Sequence, residues 1–197
     1  MNRIDVMVSA FLSILHRFSK DRHASTSVEA VLILPVLIWG YLATFVYFDA
    51  FRTQNINLKA GYTIADMISR QTNTVNSAYV NGLNTVYDYL TDTADPTSIR
   101  VTSVFYDPAT SKYKVHWSYA TKNQPTLSNS TINALAAELP NLTAFDYLIV
   151  VETNLDYTPL FNVAGISPRR FTQLIATRPR FANKVCYSNV IPAPACV

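Results

Sequence analysis

The chain has 197 residues, of which 49% are hydrophobic and only 15% carry a formal charge. That charged fraction is low for a soluble globular protein, in which about 25% is usual. The formal net charge of +3 comes mostly from the first 24 residues, so the remainder is close to neutral and gives no indication of nucleic-acid binding. The composition favours a membrane-anchored protein, and the length indicates one or two domains.

The chain begins with a short basic segment, residues 1–24. Four of its residues are basic: Arg3, Arg17, Lys20 and Arg22. Its apolar part, Val6 to Leu15, is too short to cross a bilayer, for which about 20 residues are needed. No small-x-small motif follows the next apolar run, which argues against a signal-peptidase site there. We therefore expect residues 1–24 to be a removable leader or a short surface helix.

A run of nineteen uncharged residues, Ala30 to Phe48, comes next. As a helix it measures roughly 28 Å, which is close to the hydrocarbon thickness of a bilayer. The basic residues lie mostly before it, so the positive-inside rule places the N-terminus in the cytoplasm and the chain after about residue 50 outside it. Pro35 lies about two turns into the run, where it predicts a helix kink or is simply tolerated, as proline often is in membrane spans.

Glu29 stands at the edge of this run, and two interpretations of it are open. It is either a first-turn acid that complements the helix dipole, with Ser25, Thr26 or Ser27 as the N-cap, or the acid of a type IV prepilin-like processing site. In the second pattern a basic leader ends in a small residue, the chain is cut, and a Glu is the fifth residue of the mature chain. Counting back from Glu29 places the cut between Ala24 and Ser25. The order of leader, small residue, spaced Glu and apolar run favours processing.

The stretch from Ser27 to Leu37, SVEAVLILPVL, resembles the N-terminus of TadE-like proteins, which are minor pseudopilins of the tight-adherence (Flp) type IV pilus system. The close resemblance covers roughly residues 24–50 and includes the early proline. A looser one, a long helix followed by a small β-rich module, covers the rest. The chain departs from the family pattern at Ala24, where Gly is usual before the cut, and at Ala30, where Phe or Tyr is frequent.

The resemblance implies a minor pseudopilin that takes part in assembly, initiation or capping of such a pilus through lateral packing of its N-terminal helix. It implies as partners a prepilin peptidase, other pilins or pseudopilins, an inner-membrane assembly platform and the membrane, with Glu29 as an assembly residue and no cofactor. The alternative is an uncleaved single-pass protein with a periplasmic binding, sensor or scaffold module. Loss of residues 1–24 distinguishes the two.

Beyond the apolar run the helical pattern continues without a proline as far as residue 95. We expect one helix over about 27–70 and a second over 77–91. The apolar face of the first beyond the membrane is predicted to include Leu58, Tyr62, Ala65 and Ile68. That of the second is predicted to include Tyr79, Leu83, Val86, Tyr87 and Leu90.

After Asp95-Pro96 the hydrophobic period changes from helical to two. Alternation predicts strands over 99–106 and 112–119, which the turn residues 107–111 join as a hairpin. The second strand is expected to have a single aromatic inner face, formed by Tyr113, Val115, Trp117 and Tyr119.

Three more elements are predicted: a short helix over about 131–138, a central strand over 147–157, and a strand over 171–178. The fold class is α+β, a long N-terminal transmembrane helix that extends into a periplasmic module with a small antiparallel sheet of about four strands and helices packed on one face. The predicted organisation is a leader over residues 1–24, a transmembrane helix over 25–50, an extended helix with a second helix over 51–95, and a β-rich module over 96–197.

Few residues offer catalytic chemistry. The four glycines build no phosphate-binding loop, and no nucleophile motif or metal-ligand spacing occurs. His116, the one histidine after the leader, lies on the polar side of a strand. Asp146, Glu152 and Asp156 are separated by even numbers of residues along one strand, so they could share a face, but a solvated edge is favoured over a shared acidic site. Nothing indicates an enzyme or a metal site.

Both cysteines, Cys186 and Cys196, lie in the C-terminal tail. A pair outside the cytoplasm tends to oxidise, so a disulfide is predicted, with two free thiols in a frayed tail as the alternative. Closing so short a loop contributes about 3 kcal/mol on the chain-entropy model.

Overall fold

The computed structural model describes residues 24–144, 146–162 and 165–190. Its elements are α1 (Ala24–Ser69), α2 (Ser77–Thr91), β1 (Thr97–Asp107), β2 (Lys112–Ala120), α3 (Asn129–Ala134), a 3-10 turn (Ala136–Glu138), β3 (Tyr147–Tyr157) and β4 (Arg169–Thr177). Both long helices, the hairpin, the short helix and the two later strands are thus confirmed within a few residues. Of the predicted leader, only Ala24 lies within the described residues.

The long helix α1 is uninterrupted over 46 residues, or roughly 69 Å. Pro35 lies inside it, and the kink there stays a prediction. The predicted apolar face is wrong at Tyr62, which is 58% exposed, whereas Ala65 and Ile68 are buried as expected. The buried stripe of the second half includes Asn57, Ala60, Gly61, Ile64 and Ile68.

The second helix, α2, has well-defined ends. The Asn76 side chain accepts a hydrogen bond from the Tyr79 backbone N–H at 2.8 Å and caps the N-terminus. Asp92 ends the helix in the left-handed conformation, with a φ of 45°, and its N–H donates to the Asp88 carbonyl. Leu83 and Tyr87 of the predicted face are buried, whereas Leu90 is exposed.

The four strands form one antiparallel sheet in the order β2-β1-β3-β4. β3 is therefore central, as its continuous apolar run predicts. Its side chains alternate between two hydrophobic cores. Ile149 and Val151 pack with α1 and α2, and Leu148 and Val150 pack on the opposite face.

The expectation that helices cover only one face of the sheet is wrong. α1 and α2 cover one face, while α3 and the 3-10 turn cover the other through Ile132 and Leu139. Ser128 caps α3 and forms a reciprocal capping box with Thr131. Since β3 is apolar on both sides, it needs a cover on each face.

The prediction of a single aromatic face on β2 is also wrong, because the strand contains a β-bulge. Ser103 of β1 pairs with Trp117, and the next residue pairs with Val115, so His116 has no partner in the ladder. An extra residue of this kind shifts the alternation of side chains. Trp117 therefore packs on the α1–α2 side, and Tyr113 packs on the α3 side.

Candidate functional site

The N-terminal part of α1 is the most unusual surface of the molecule. We call residues 27–42 the apolar arm. Its large apolar side chains are exposed in every direction around the helix, as in Val31 at 71% and Tyr41 at 72%. By length and composition α1 is long and apolar enough to cross a membrane. A helix that is apolar on all sides requires an apolar surrounding.

Glu29 is the only formally charged residue of the apolar arm, and its side chain is exposed. It borders a shallow depression of about 350 Å³ lined by the apolar side chains of Ala30, Ile33, Leu34 and Leu37. None of the salt bridges within the described residues involves Glu29. A carboxylate in this position lacks a charge partner for burial.

The interpretation of Glu29 as a first-turn acid is wrong. Helix α1 as described begins at Ala24, and its first turn contains no acid. Ser25, Thr26 and Ser27 are helical residues and not N-caps. At least one turn of helix therefore precedes Glu29 within the described residues, so Glu29 lies beyond the free N–H groups that a first-turn carboxylate would meet. The processing interpretation, with its cut between Ala24 and Ser25, stays a prediction.

The module begins to pack on α1 before the predicted membrane span ends. Ala43 and Val46 are buried, and Val46 belongs to a small core with Leu155, Tyr157 and Ile166 at one end of the sheet. The Tyr157 hydroxyl donates a 2.8 Å hydrogen bond to the Asp49 carboxylate. Burial, reinforced by that carboxylate, raises the pKa of Tyr157 to about 12. One side of α1 from about Val46 onward is thus covered by the module.

A buried polar network joins the second half of α1 to the other elements. The Asn57 side-chain carbonyl accepts hydrogen bonds from the Tyr87 hydroxyl at 2.6 Å and from the Thr153 hydroxyl at 2.9 Å. Its amide donates to the Phe171 carbonyl at 3.1 Å. One side chain therefore connects α1 with α2, β3 and β4. Because the network is largely buried, it holds α1 in one position on the sheet.

Gly61 lies where α1 packs closely on β4. A Cβ atom there would lie 2.7 Å from Cδ1 of Ile175 and 3.3 Å from Oγ1 of Thr153. Sequence reasoning missed both Asn57 and Gly61. The signal was a stripe of small and polar residues along the extended helix at three- and four-residue spacing, which marks a face packed closely on another element.

The three acids near β3 form no shared site. Glu152 forms a largely covered ion pair with Arg100, so the prediction of a solvated edge does not hold at this residue. The other two pair separately, Asp156 with an arginine of β4 at 2.6 Å and Asp146 with Arg178 at 3.7 Å. Within the part of the chain that the structure describes, no cluster of three or more potential metal ligands occurs.

His116 lies at the bulge of β2 and its ring meets the Tyr147 ring edge-on, with 5.4 Å between centroids. Desolvation and the nearby Lys184 ammonium lower the pKa of this histidine. Lys184 itself lies 5.9 Å over the centre of the same tyrosine ring. The side chain therefore takes part in an aromatic and cationic cluster.

Cys186 is disulfide-bonded. Its predicted partner, Cys196, lies outside the described residues, so the pairing itself stays a prediction. Hydrogen bonds and ring stacking attach the tail around Cys186 to the module. The Cys186 carbonyl accepts a 2.8 Å hydrogen bond from the Val75 N–H, and the Tyr187 ring stacks on Trp117 at 5.2 Å.

No protein-family model, curated protein or solved structure matches this chain. Function is therefore inferred from the residues and their geometry, together with the resemblance of the N-terminal stretch.

Proposed function

We propose that this chain is a minor pseudopilin of a tight-adherence (Flp) type IV pilus system. The apolar arm anchors it in the inner membrane, with the N-terminus in the cytoplasm and the module in the periplasm. One observation carries the proposal: a single continuous helix joins an arm that is apolar on every side to a folded module. Such an arm is stable only where lipid or other apolar helices cover it. The resemblance over residues 24–50 supports pilus assembly as the process in which the arm leaves the lipid and packs against the apolar helices of other subunits.

Glu29 has a defined role in this proposal. When the arm packs among the arms of other subunits, the carboxylate enters an apolar bundle, where an ionised group persists only if it is paired. Cleavage after Ala24 creates an α-amino group at Ser25, which is positively charged below about pH 8. Four residues separate Ser25 and Glu29, or about 6 Å along the helix axis. The amine of one subunit can thus pair with Glu29 of a neighbour that is offset by about one turn, which sets the register between subunits.

Processing is tested by the N-terminal mass of the protein extracted from the membranes of a bacterium that carries a tight-adherence pilus system. The mature chain is expected to begin at Ser25. An intact Met1 terminus in a strain with an active prepilin peptidase would contradict processing. It would favour the alternative, an uncleaved anchored module.

Assembly is tested by Glu29→Gln, with Glu29→Asp as the matched variant that keeps the negative charge. We expect Glu29→Gln to insert and to be cleaved normally, because a neutral amide is cheaper to place in lipid than a carboxylate. Its co-purification with the pilus partners should fall sharply, while Glu29→Asp retains part of it. A protein that is only anchored has no use for the charge and would tolerate both changes. Wild-type co-purification of Glu29→Gln would refute the pairing role.

A further inference from the structure

We propose that the base of the module is a lipid-contact surface, which rests on the phospholipid bilayer when the apolar arm is inserted; this inference depends on the membrane insertion in the proposed function. We call this surface the basal surface. It consists of five exposed apolar side chains, namely Phe45, Phe48, Phe51, Leu160 and Phe161.

The loop after β3 contributes two of these side chains. The chain leaves the sheet at Tyr157 and rejoins it where β4 begins, at Arg169. Tyr157 and Ile166, on either side of the loop, both pack in the small core with Val46. The loop therefore lies beside α1 at the level where the apolar arm ends. Leu160 is 73% exposed and Phe161 is 46% exposed there. Apolar side chains in this position continue the apolar surface of the arm onto the module.

The length of the arm places the basal surface at the level of the lipid headgroups. Together with Ser25 and Thr26, which precede it in the helix, the apolar arm rises roughly 27 Å, close to the hydrocarbon thickness of about 30 Å. The next residue, Ala43, is already buried, and Val46 one turn later packs in the small core of the module. Since α1 continues without interruption into the module, no linker separates the module from the end of the span. An inserted arm thus brings the base of the module to the membrane surface.

The composition of this level also suits the interface of a bilayer. Phe45, Phe48 and Phe51 cover about 9 Å along the helix axis, and aromatic side chains are enriched at the edge of the hydrocarbon region. Arg52 and Arg169 are exposed at the same end of the module, where they can meet lipid phosphates. The acids nearby, Asp49 and Asp95, each accept a hydrogen bond from the chain around the end of β3.

The test uses the full chain reconstituted in phospholipid vesicles that carry bromine, a fluorescence quencher, on the acyl chains. Trp39 of the apolar arm reports insertion of the helix in the unmodified protein. In a Trp39→Phe background, one variant then adds Phe161→Trp and a matched control adds Phe181→Trp. Phe181 is also exposed, at 66%. The residue before it, Arg180, donates its backbone N–H to the Ser69 carbonyl, which places Phe181 near the other end of α1. That end is roughly 35 Å from the level of Val46.

We expect bromine near the headgroups to quench most of the emission added at position 161 and none of that added at position 181. Trp117 is present in both variants and provides the same background. Quenching of Trp39 without quenching at position 161 would overturn the lipid contact, whether water or a second protein copy covers the base. Loss of Trp39 quenching would instead overturn the membrane insertion on which both proposals depend.

Discussion

The network around Asn57 makes a quantitative test of how α1 is held to the module. Asn57→Ala removes the partner of three groups: the Tyr87 hydroxyl, the Thr153 hydroxyl and the Phe171 carbonyl. A buried group that loses its partner costs about 1–3 kcal/mol, so the variant should lose roughly 3 kcal/mol or more. That is a large part of the roughly 5–15 kcal/mol of stability of a typical domain.

The assay is urea unfolding of the full chain in detergent micelles, followed by the fluorescence of Trp117. The control is Asn55→Ala, since Asn55 is exposed on the same helix two residues away. This substitution should change the free energy of unfolding by less than about 0.5 kcal/mol. A further variant, Thr153→Val, shares the Asn57 contact, so its cost and that of Asn57→Ala should be non-additive. Equal stability of the Asn57 and Asn55 variants would refute the reasoning.

Two more predictions concern the module, both measured by the same unfolding assay. Gly61→Leu should lower the free energy of unfolding by about 1–3 kcal/mol, because any side chain there meets Ile175. The control is Gly82→Leu on the open face of α2, which should raise the free energy of unfolding by a few tenths of a kcal/mol or more. Equal effects of the two substitutions would contradict the close contact at Gly61. The pKa of Asp107 is lowered, chiefly by its 2.5 Å contact with Lys114. This pair therefore stabilises the fold fully at a pH above the pKa of Asp107 in the unfolded chain, about 3.9. The stabilisation is lost as the pH falls through the lower pKa of the folded state. Asp107→Asn should therefore be less stable than the wild type at pH 7 and should approach it in acid, and a pH-independent difference would contradict this assignment.

Local sequence patterns determined the elements of this protein. The uncharged run, the helical spacing up to residue 91 and the period-two stretches each depend on residues that are close together in the chain. Turn chemistry between β1 and β2 and the Ser128 cap determined where elements end, because these signals act through the backbone of neighbouring residues. The candidate assembly residue, Glu29, and the candidate processing site follow from the spacing together with the resemblance of the N-terminal stretch to TadE-like proteins.

Tertiary structure decided which faces of these elements are covered. The bulge at His116 turns Trp117 and Tyr113 to opposite faces, and period-two reasoning cannot detect one extra residue in a strand. Asn57 faces the core because its three partners come from elements up to 114 positions away in the chain. The end of the apolar arm was also decided this way. Hydropathy counts Val46 as membrane, whereas its packing with Leu155 and Tyr157, more than 100 residues later in the chain, places it at the base of the module.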